Sequence, residues 1–145
     1  MSIAVHTYGL LKAEQGEPEV QGFIDGIEAV YSVAERSDGF IWRFSDYENL
    51  AEPPVGPAAR TLSIWEDIAS LRHFVFNTLH GKFYERKSEW FLEPASAMMV
   101  LWHTDPSARP TMSEAYDKLE LLRAEGPSVQ AFTWDTAEKF VDAPS

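Results

Sequence analysis

Cysteine is absent from the 145 residues of this chain. The absence excludes a disulfide framework, a thiolate metal site and a cysteine nucleophile, and it is typical of proteins from a reducing compartment. Basic residues are scarce as well, because 12 Lys and Arg stand against 23 Asp and Glu, which gives a formal net charge of −11. No stretch gathers the basic residues into a run that neutralises successive phosphates, so we expect no nucleic-acid partner.

Long apolar runs are missing too. No window of the sequence approaches the roughly 18 apolar residues that a membrane-spanning helix requires, and the first residues show no basic segment followed by a long apolar one. We therefore expect a cytoplasmic protein that does not contact membranes. Neither common type of Gly-rich phosphate-binding loop occurs, which predicts that no nucleotide cofactor is bound.

What the chain does have is enough apolar material for one core. Hydrophobic residues make up 45% of the sequence, and a length of 145 residues is close to the commonest domain size. The whole chain, 1–145, is thus predicted to be a single domain, with a loop at 46–59 that forms a pocket rim and a tail at 135–145.

Strand-like and helix-like segments alternate along this domain. Apolar residues with a period of two, or in short continuous runs, predict strands, and apolar residues at three- and four-residue spacing predict helices. The predicted order is strand 3–11, helix 18–34, strand 40–45, strand 61–65, helix 67–91, strand 97–103, helix 111–125 and a short edge strand at 131–134. We expect Gly39 to end the first helix in the left-handed conformation, and Thr111 with Glu114 to form a capping box for the last helix.

The two strands in the middle of the chain are predicted to have unlike faces. In 40–45, strict alternation places Phe40, Trp42 and Phe44 on one face and Arg43 on the other. In 61–65, one face carries Leu62 and Ile64. The other face carries Thr61, Ser63 and Trp65.

This order of elements predicts an α+β fold of the ferredoxin-like, split βαβ type, with an extra C-terminal helix. The helices of such a fold cover one face of the sheet. The other face needs a cover as well, and a second copy of the sheet is the economical solution. We therefore predict a homodimer, arranged as a dimeric α+β barrel.

Several short segments from Gly39 onward carry a resemblance to a known family. They are Ser63-Ile64-Trp65-Glu66, Phe74-Val75-Phe76 with His80, Glu89-Trp90-Phe91, Leu101-Trp102, Pro110-Thr111 with Glu114-Ala115, and Gly126-Pro127 before Ala131-Phe132-Thr133. With these segments the chain resembles an uncharacterised bacterial family of the dimeric α+β barrel superfamily, which also contains the antibiotic-biosynthesis monooxygenases. The resemblance implies the fold described above.

The resemblance also implies roles for particular residues. The cofactor-free monooxygenases of the superfamily act on aromatic polyketides and pair an Asn with a Trp four residues apart on the third strand. Trp65 matches the Trp, and Thr61 stands in place of the Asn, with a single hydroxyl where the amide has a separate carbonyl acceptor and NH₂ donor. Haem-degrading members use a helix histidine as the iron ligand, and His80 lies on the equivalent helix, which makes haem the alternative cofactor.

Few residues offer proton-transfer or anion-binding chemistry. His80 lies at the margin of the apolar stripe of its helix, where it either moves protons in a cavity or is a boundary histidine bonded to a neighbour. Tyr84, one turn later, is either a second hydrogen-bond donor or a surface ring. Arg43 either reaches solvent at the end of the barrel or requires a carboxylate or phenolate partner. That partner is either structural, such as Glu66 or Glu89, or the anion of a substrate.

The leading hypothesis is a natural-product tailoring enzyme for an aromatic or polyketide-like small molecule, acting as a monooxygenase, cyclase or isomerase without a bound cofactor. In this hypothesis His80 moves a proton and Trp65 stacks on the substrate. Arg43 orients the substrate's oxygens together with Thr61 and Ser63. The remaining predicted pocket residues are Trp42, Phe76, Tyr84 and Trp102.

Two alternatives remain open. One is a non-catalytic binding protein for haem or another hydrophobic ligand, and the other is a structural dimer whose barrel is filled by side chains. For each tryptophan of the predicted pocket, packing in the core is the competing role. His6, His73 and His103 show no ligand spacing with His80, and no metal site is predicted.

Overall fold

The computed structural model describes residues 2–10, 29–44, 58–77, 99–134 and 136–137. Within these ranges the strands are β1 (Ser2–Leu10), β2 (Phe40–Arg43), β3 (Ala58–Trp65) and β4 (Met99–Thr104). The helices are α1 (residues 29–36), α2 (Ile68–Asn77) and α3 (Met112–Glu125). The predicted α+β class is thereby confirmed.

The four strands form one antiparallel sheet in the order β2-β3-β1-β4. β3 pairs with β1 and begins at Ala58, opposite Leu10, so it starts earlier than predicted and the last two residues of the predicted loop 46–59 are strand. At the outer edge of β4, Leu101 and Phe132 exchange two backbone hydrogen bonds of 2.8 and 2.9 Å. The predicted edge strand is therefore reduced to a single bridge with β4.

Apolar side chains cover both faces of the sheet. One face, called the α1–α2 face, has as its buried residues Ile3, Val5, Ala34, Trp65, Leu71, Phe74, Val75, Leu101, Phe132 and Ala137. The other, called the α3 face, has as its buried residues Ala4, Leu62, Ile64, Val100, Trp102, Met112, Ala115, Leu119, Leu122 and Ala131. The alternation predicted for β3 is confirmed, and β4 is buried on both sides, as its continuous apolar sequence predicts.

A β-bulge in β2 changes which residues share a face. Phe40 lies opposite Trp65 and Trp42 lies opposite Ile64, so the extra residue Ile41 has no place of its own in the ladder. Phe40 consequently packs on the α1–α2 face, while Trp42 packs on the α3 face. The prediction that Phe40 and Trp42 share a face is wrong, because strict alternation assumes an unbroken ladder.

Local sequence fixes the ends of the helices. Asp67 Oδ1 accepts a hydrogen bond of 2.7 Å from the backbone N–H of Ser70, at the start of α2. Thr111 Oγ1 accepts one of 3.1 Å from the N–H of Glu114, which confirms the Thr111 half of the predicted capping box. Gly39 follows α1 with the predicted positive φ, +85°, and a Cβ added there would overlap the Ser70 side chain.

Helix α3 lies across the face for which a second copy of the sheet was the predicted cover. Its buried residues recur at helical spacing and are Met112, Ala115, Leu119 and Leu122. They pack with side chains of β1, β3 and β4, so the same chain supplies part of that cover. The homodimer stays a prediction.

Some predicted elements extend beyond the described residues. Helix 18–34 is confirmed over 29–34 and continues to 36, and helix 67–91 is confirmed from Ile68 to Asn77. Residues 46–57 of the predicted rim loop and most of the tail 135–145 lie outside the described ranges. Among the helices that the structure describes, none combines the length and the apolar character needed to cross a bilayer.

Candidate functional site

Four of the predicted site residues meet on the α1–α2 face. Thr61, Ser63 and Trp65 occupy alternate positions of β3, and Arg43 lies opposite Ser63 on β2. The bulge decides this arrangement, because an unbroken ladder continuing from Phe40 would bring Trp42 opposite Ser63 instead. The face therefore combines a guanidinium with hydroxyl groups.

A row of hydroxyl groups crosses this face. Thr7 on β1 lies opposite Thr61, and their Oγ1 atoms are 2.6 Å apart. Ser63 follows two residues along β3, about 7 Å further, and its Oγ accepts a hydrogen bond of 3.0 Å from Trp65 Nε1. We call Thr7, Thr61 and Ser63 the hydroxyl row, and all three residues are half-buried.

These hydrogen bonds leave the hydroxyl row with donors for a ligand. Only one hydroxyl hydrogen fits between the two Oγ1 atoms of Thr7 and Thr61, so the other hydrogen points elsewhere. Ser63 Oγ accepts from the indole, so its own hydrogen also points away from Trp65. These bonds therefore leave two O–H donors of the row unused, and both can turn toward a group that lies over it.

Trp65 is a core residue rather than an open platform. Its side chain is 1% exposed. The ring stacks on Phe74 with centroids 4.9 Å apart and meets Phe40 edge-on at 5.4 Å. A substrate would stack there only after Phe74 moved, so the role that this geometry supports is to hold the Ser63 hydroxyl through Nε1–H.

Arg43 is held by two residues of α1. Its Nε donates a hydrogen bond of 2.9 Å to Glu35 Oε1, and its Cζ lies 4.2 Å from the centroid of the Tyr31 ring. Tyr31 and Glu35 are one helical turn apart, so both side chains reach the same guanidinium. The described carboxylate partner is thus Glu35 and not Glu66, which is exposed after the end of β3.

Three residues of this group, Thr7, Tyr31 and Glu35, are not among the predicted site residues. Thr7 belongs to the hydroxyl row only through its register with Thr61, and register across 54 positions of sequence left no local signal. Tyr31 and Glu35 left a weak one, since an aromatic and an acidic residue at i and i+4 near the end of a helix reach the same neighbour. Identifying Arg43 as that neighbour required knowing that α1 lies over β2.

The other predicted pocket residues lie elsewhere. Trp42 and Trp102 pack on the α3 face, where Arg109 and Lys118 lie 5.4 and 5.9 Å from the respective ring centroids. Phe76 lies near the end of α2 and is 46% exposed. The structure therefore divides the described members of the predicted pocket between the two faces of the sheet. The predicted proton carriers outside the described residues are His80 and Tyr84.

A fully buried histidine supports the hydroxyl row from the α3 side. His6 Nδ1 lies 2.8 Å from the backbone oxygen of Thr61, and its ring meets Tyr116 edge-on at 5.5 Å. A carbonyl oxygen only accepts, so Nδ1 carries the hydrogen. Thr61 is thus fixed through its backbone on one side of the sheet and through its side chain on the other. Across the described ranges, no three His, Asp or Glu side chains are grouped as metal ligands.

Comparisons with known proteins bear on the fold and the family. No curated protein matches the chain. A crystal structure of a conserved protein from Methanosarcina mazei Go1 is similar to it, with a TM-score of 0.53 and 20% sequence identity, over 72% of this chain and 94% of that one. At this identity the likeness shows the fold alone. A family model described as "Domain of unknown function (DUF3291)" matches residues 2–144, and the chain therefore belongs to that family.

Proposed function

We propose that this chain binds an aromatic small molecule with oxygen substituents over the hydroxyl row, and acts on it as a tailoring enzyme without a nucleotide cofactor. The observation that carries the proposal is the hydroxyl row beside Arg43, four half-buried polar residues on a face whose core is apolar. Packing alone gains nothing from these groups, because each half-buried polar group loses part of its hydration.

The neighbours of the hydroxyl row suit an aromatic molecule. Val5 lies opposite Ser63, and Met99 lies opposite Thr7 on the other side of β1. Both apolar side chains belong to the same face as the row. An apolar floor with a few placed polar groups is the usual composition of a small-molecule site.

The arrangement of the sheet supports a finer placement of the fold. Strand order β2-β3-β1-β4, with α1 and α2 on one face, agrees with a ferredoxin-like topology. Together with the resemblance of the sequence, this arrangement supports our proposal that the chain is related to the dimeric α+β barrels, alongside the antibiotic-biosynthesis monooxygenases.

A homodimer forms part of this proposal. Helix α3 packs against β4, whereas Ile41, Trp42 and Phe44 of the β2 segment are half-buried on the same face and are available to a second copy. Light scattering over a range of concentrations tests the assembly. A mass of two chains supports it, and 16.4 kDa at every concentration contradicts it.

Proton transfer at the bound molecule is assigned to His80, with Tyr84 as a second donor. Oxygenation, cyclisation and isomerisation of an aromatic substrate each require a proton to leave carbon or oxygen, and a histidine suits that step at neutral pH. The part given to Trp65 is now positional, because its N–H orients the Ser63 hydroxyl.

Binding is tested by titrating alizarin, a dihydroxyanthraquinone, into ¹⁵N-labelled protein and following the backbone amides. We expect the amides of Thr61 and Ser63 to shift. Thr61→Val and Ser63→Ala should each weaken binding about 2- to 10-fold, since each removes one hydrogen bond. Ser113→Ala, on the exposed side of α3, is the matched control. Shifts confined to the α3 face, or unchanged affinity in both variants, would contradict the proposal.

Activity is tested with dithranol, an electron-rich anthrone whose methylene carbon reacts with O₂ to give a quinone and water without an external reductant. O₂ uptake above the protein-free rate that is lost in His80→Ala supports an oxygenase. The alternative function, a binding protein for haem, predicts a Soret shift on haem titration that is lost in the same variant, and no turnover of dithranol.

A further inference from the structure

We propose that Arg43 binds an anionic group of the ligand, so that the molecule taken by the site is an aromatic carboxylate. The inference rests on the proposed function and adds the charge of the ligand to it. It is based on the hydrogen bonds and neighbours of the Arg43 guanidinium group.

As far as the structure describes the chain, the terminal nitrogens of the Arg43 guanidinium are available. Arginine carries five N–H donors, and Nε donates to Glu35 Oε1 at 2.9 Å. Nη1 and Nη2 make no hydrogen bond to any residue in the described ranges. These two nitrogens form the end of the fork that matches the two oxygens of a carboxylate. An anion can therefore bind there while Glu35 keeps its bond to Nε.

The same guanidinium is already oriented. The Tyr31 ring lies 4.2 Å from Cζ, and Glu35 holds Nε from the same side of α1. A side chain fixed in this way loses little further freedom when a ligand binds. With side chains 27% and 48% exposed, the Arg43–Glu35 pair adds little to folding. Orientation of the fork, rather than stability, is what these contacts provide.

The hydroxyl row lies next to this anion site. Arg43 is directly opposite Ser63, so their Cβ atoms are about 5 Å apart. Thr61 follows on the same face, and the buried side chain of Val5 lies beside Ser63 in the core beneath the site. A two-ring aromatic acid spans this distance, with its carboxylate on Arg43 and its rings over the half-buried Ser63 toward Thr61. A ring oxygen then reaches the Thr7–Thr61 pair.

A pair of probes that match in shape and differ in charge tests the inference. 6-Hydroxy-2-naphthoate (naphthoate below) carries the carboxylate and a ring oxygen, and 6-hydroxy-2-naphthamide (naphthamide below) keeps the ring oxygen and replaces the carboxylate with a neutral amide. Calorimetric titration should show that Arg43→Met weakens naphthoate binding roughly 10- to 100-fold, because it removes two charge-assisted hydrogen bonds whose strength water reduces at a side chain that is 27% exposed. Naphthamide affinity should stay within about twofold.

The matched control is Arg36→Met. Arg36 lies on α1, is exposed, and donates from Nε to the Ser32 carbonyl oxygen at 3.1 Å. Its replacement changes the net charge by the same amount, so unchanged naphthoate affinity would show that the effect of Arg43 is local. An equal loss in both variants would reduce the effect to general electrostatic attraction and overturn the inference.

A second variant guards against loss of folding. Arg43→Lys keeps the charge and removes the fork, and we expect it to weaken naphthoate several-fold with an unchanged unfolding temperature. The anion assignment is overturned if naphthoate affinity is unchanged in both Arg43 variants while Thr61→Val weakens the binding of both probes. That result leaves the proposed site intact. No binding of either probe at millimolar concentration, or binding indifferent to Thr61→Val, overturns the proposed site itself.

Discussion

The hydrogen bond between Thr7 and Thr61 gives a prediction that separates folding from ligand binding. Changing either threonine to valine keeps the shape and the strand preference of the side chain and removes one hydroxyl. The hydroxyl of the other threonine is half-buried and loses its hydrogen-bond partner, an oxygen 2.6 Å away. Changing both residues removes both polar groups together.

The expected free energies follow from that difference. Each single variant should lower the free energy of unfolding by about 1 kcal/mol, the low end of the cost of an unsatisfied group, because water reaches a half-buried site. The double variant should lie within about 0.5 kcal/mol of the wild type, since no polar group is left unpaired. The coupling free energy between the two threonines is then about 1.5 to 2.5 kcal/mol. The His6 bond to the Thr61 carbonyl is untouched in all three variants.

Urea unfolding followed by tryptophan fluorescence measures these values. With an m value of about 1 to 3 kcal/mol/M, each single variant shifts the midpoint by roughly 0.3 to 1 M, which is readily resolved. Alizarin titration of the double variant should then show weaker binding by a stable protein. Additive losses, with the double variant about 2 kcal/mol less stable than the wild type, would show that the two hydroxyls act independently and would refute the reasoning.

Three further changes test other parts of the structure. Gly39→Ala should cost roughly 2 to 3 kcal/mol in urea unfolding, because a φ of +85° is unfavourable for alanine and its Cβ would overlap Ser70; adding Ser70→Gly should recover part of this, and an equal cost in both backgrounds would contradict the overlap. Thr111→Ala removes the N-cap of α3 and should cost about 1 kcal/mol by the same assay, whereas unchanged stability would show that the cap contributes nothing. The hydrogen bond of 2.6 Å from the Ser107 hydroxyl, with that from its backbone N–H, lowers the pKa of Asp105, so Ser107→Ala should raise that pKa in an NMR titration. Because the pKa of Asp105 is lowered in the folded state, the two hydrogen bonds stabilise the fold above the ordinary aspartate pKa, and this stabilisation is lost as the pH falls through the lowered value. If the wild type became more stable relative to Ser107→Ala toward acid pH, the assignment would be contradicted.

The parts of the fold that depend on neighbouring residues were readable from the sequence. The alternation of Leu62 and Ile64 with Trp65, the Thr111 cap and the left-handed Gly39 are decided within a few positions of the chain, and all three were predicted. These features follow from period, capping and backbone sterics.

The parts of the fold that depend on packing between distant elements could not be predicted from the sequence. The bulge at Ile41 arises where β2 must match β3, and alternation within β2 cannot reveal it. Predicting the Arg43–Glu35 pair and the Thr7–Thr61 hydrogen bond requires knowledge of which helices and strands are adjacent in the fold. The last helix was predicted, but its position across the second face was not, because an amphipathic stripe shows that a helix is buried and not against what.

The β-bulge in β2 determines which side chain lies beside the hydroxyl row, so the charge at that position depends on the bulge as well as on the presence of Arg43. If β2 were straightened at constant length from Phe40 onward, Trp42 would take the position opposite Ser63 and Arg43 would turn to the α3 face. The same strand thus places a cation or an indole beside the hydroxyl row, depending on its pairing with β3. When related chains are compared, the residue aligned with Arg43 is informative about ligand charge only together with the number of residues between Gly39 and that position.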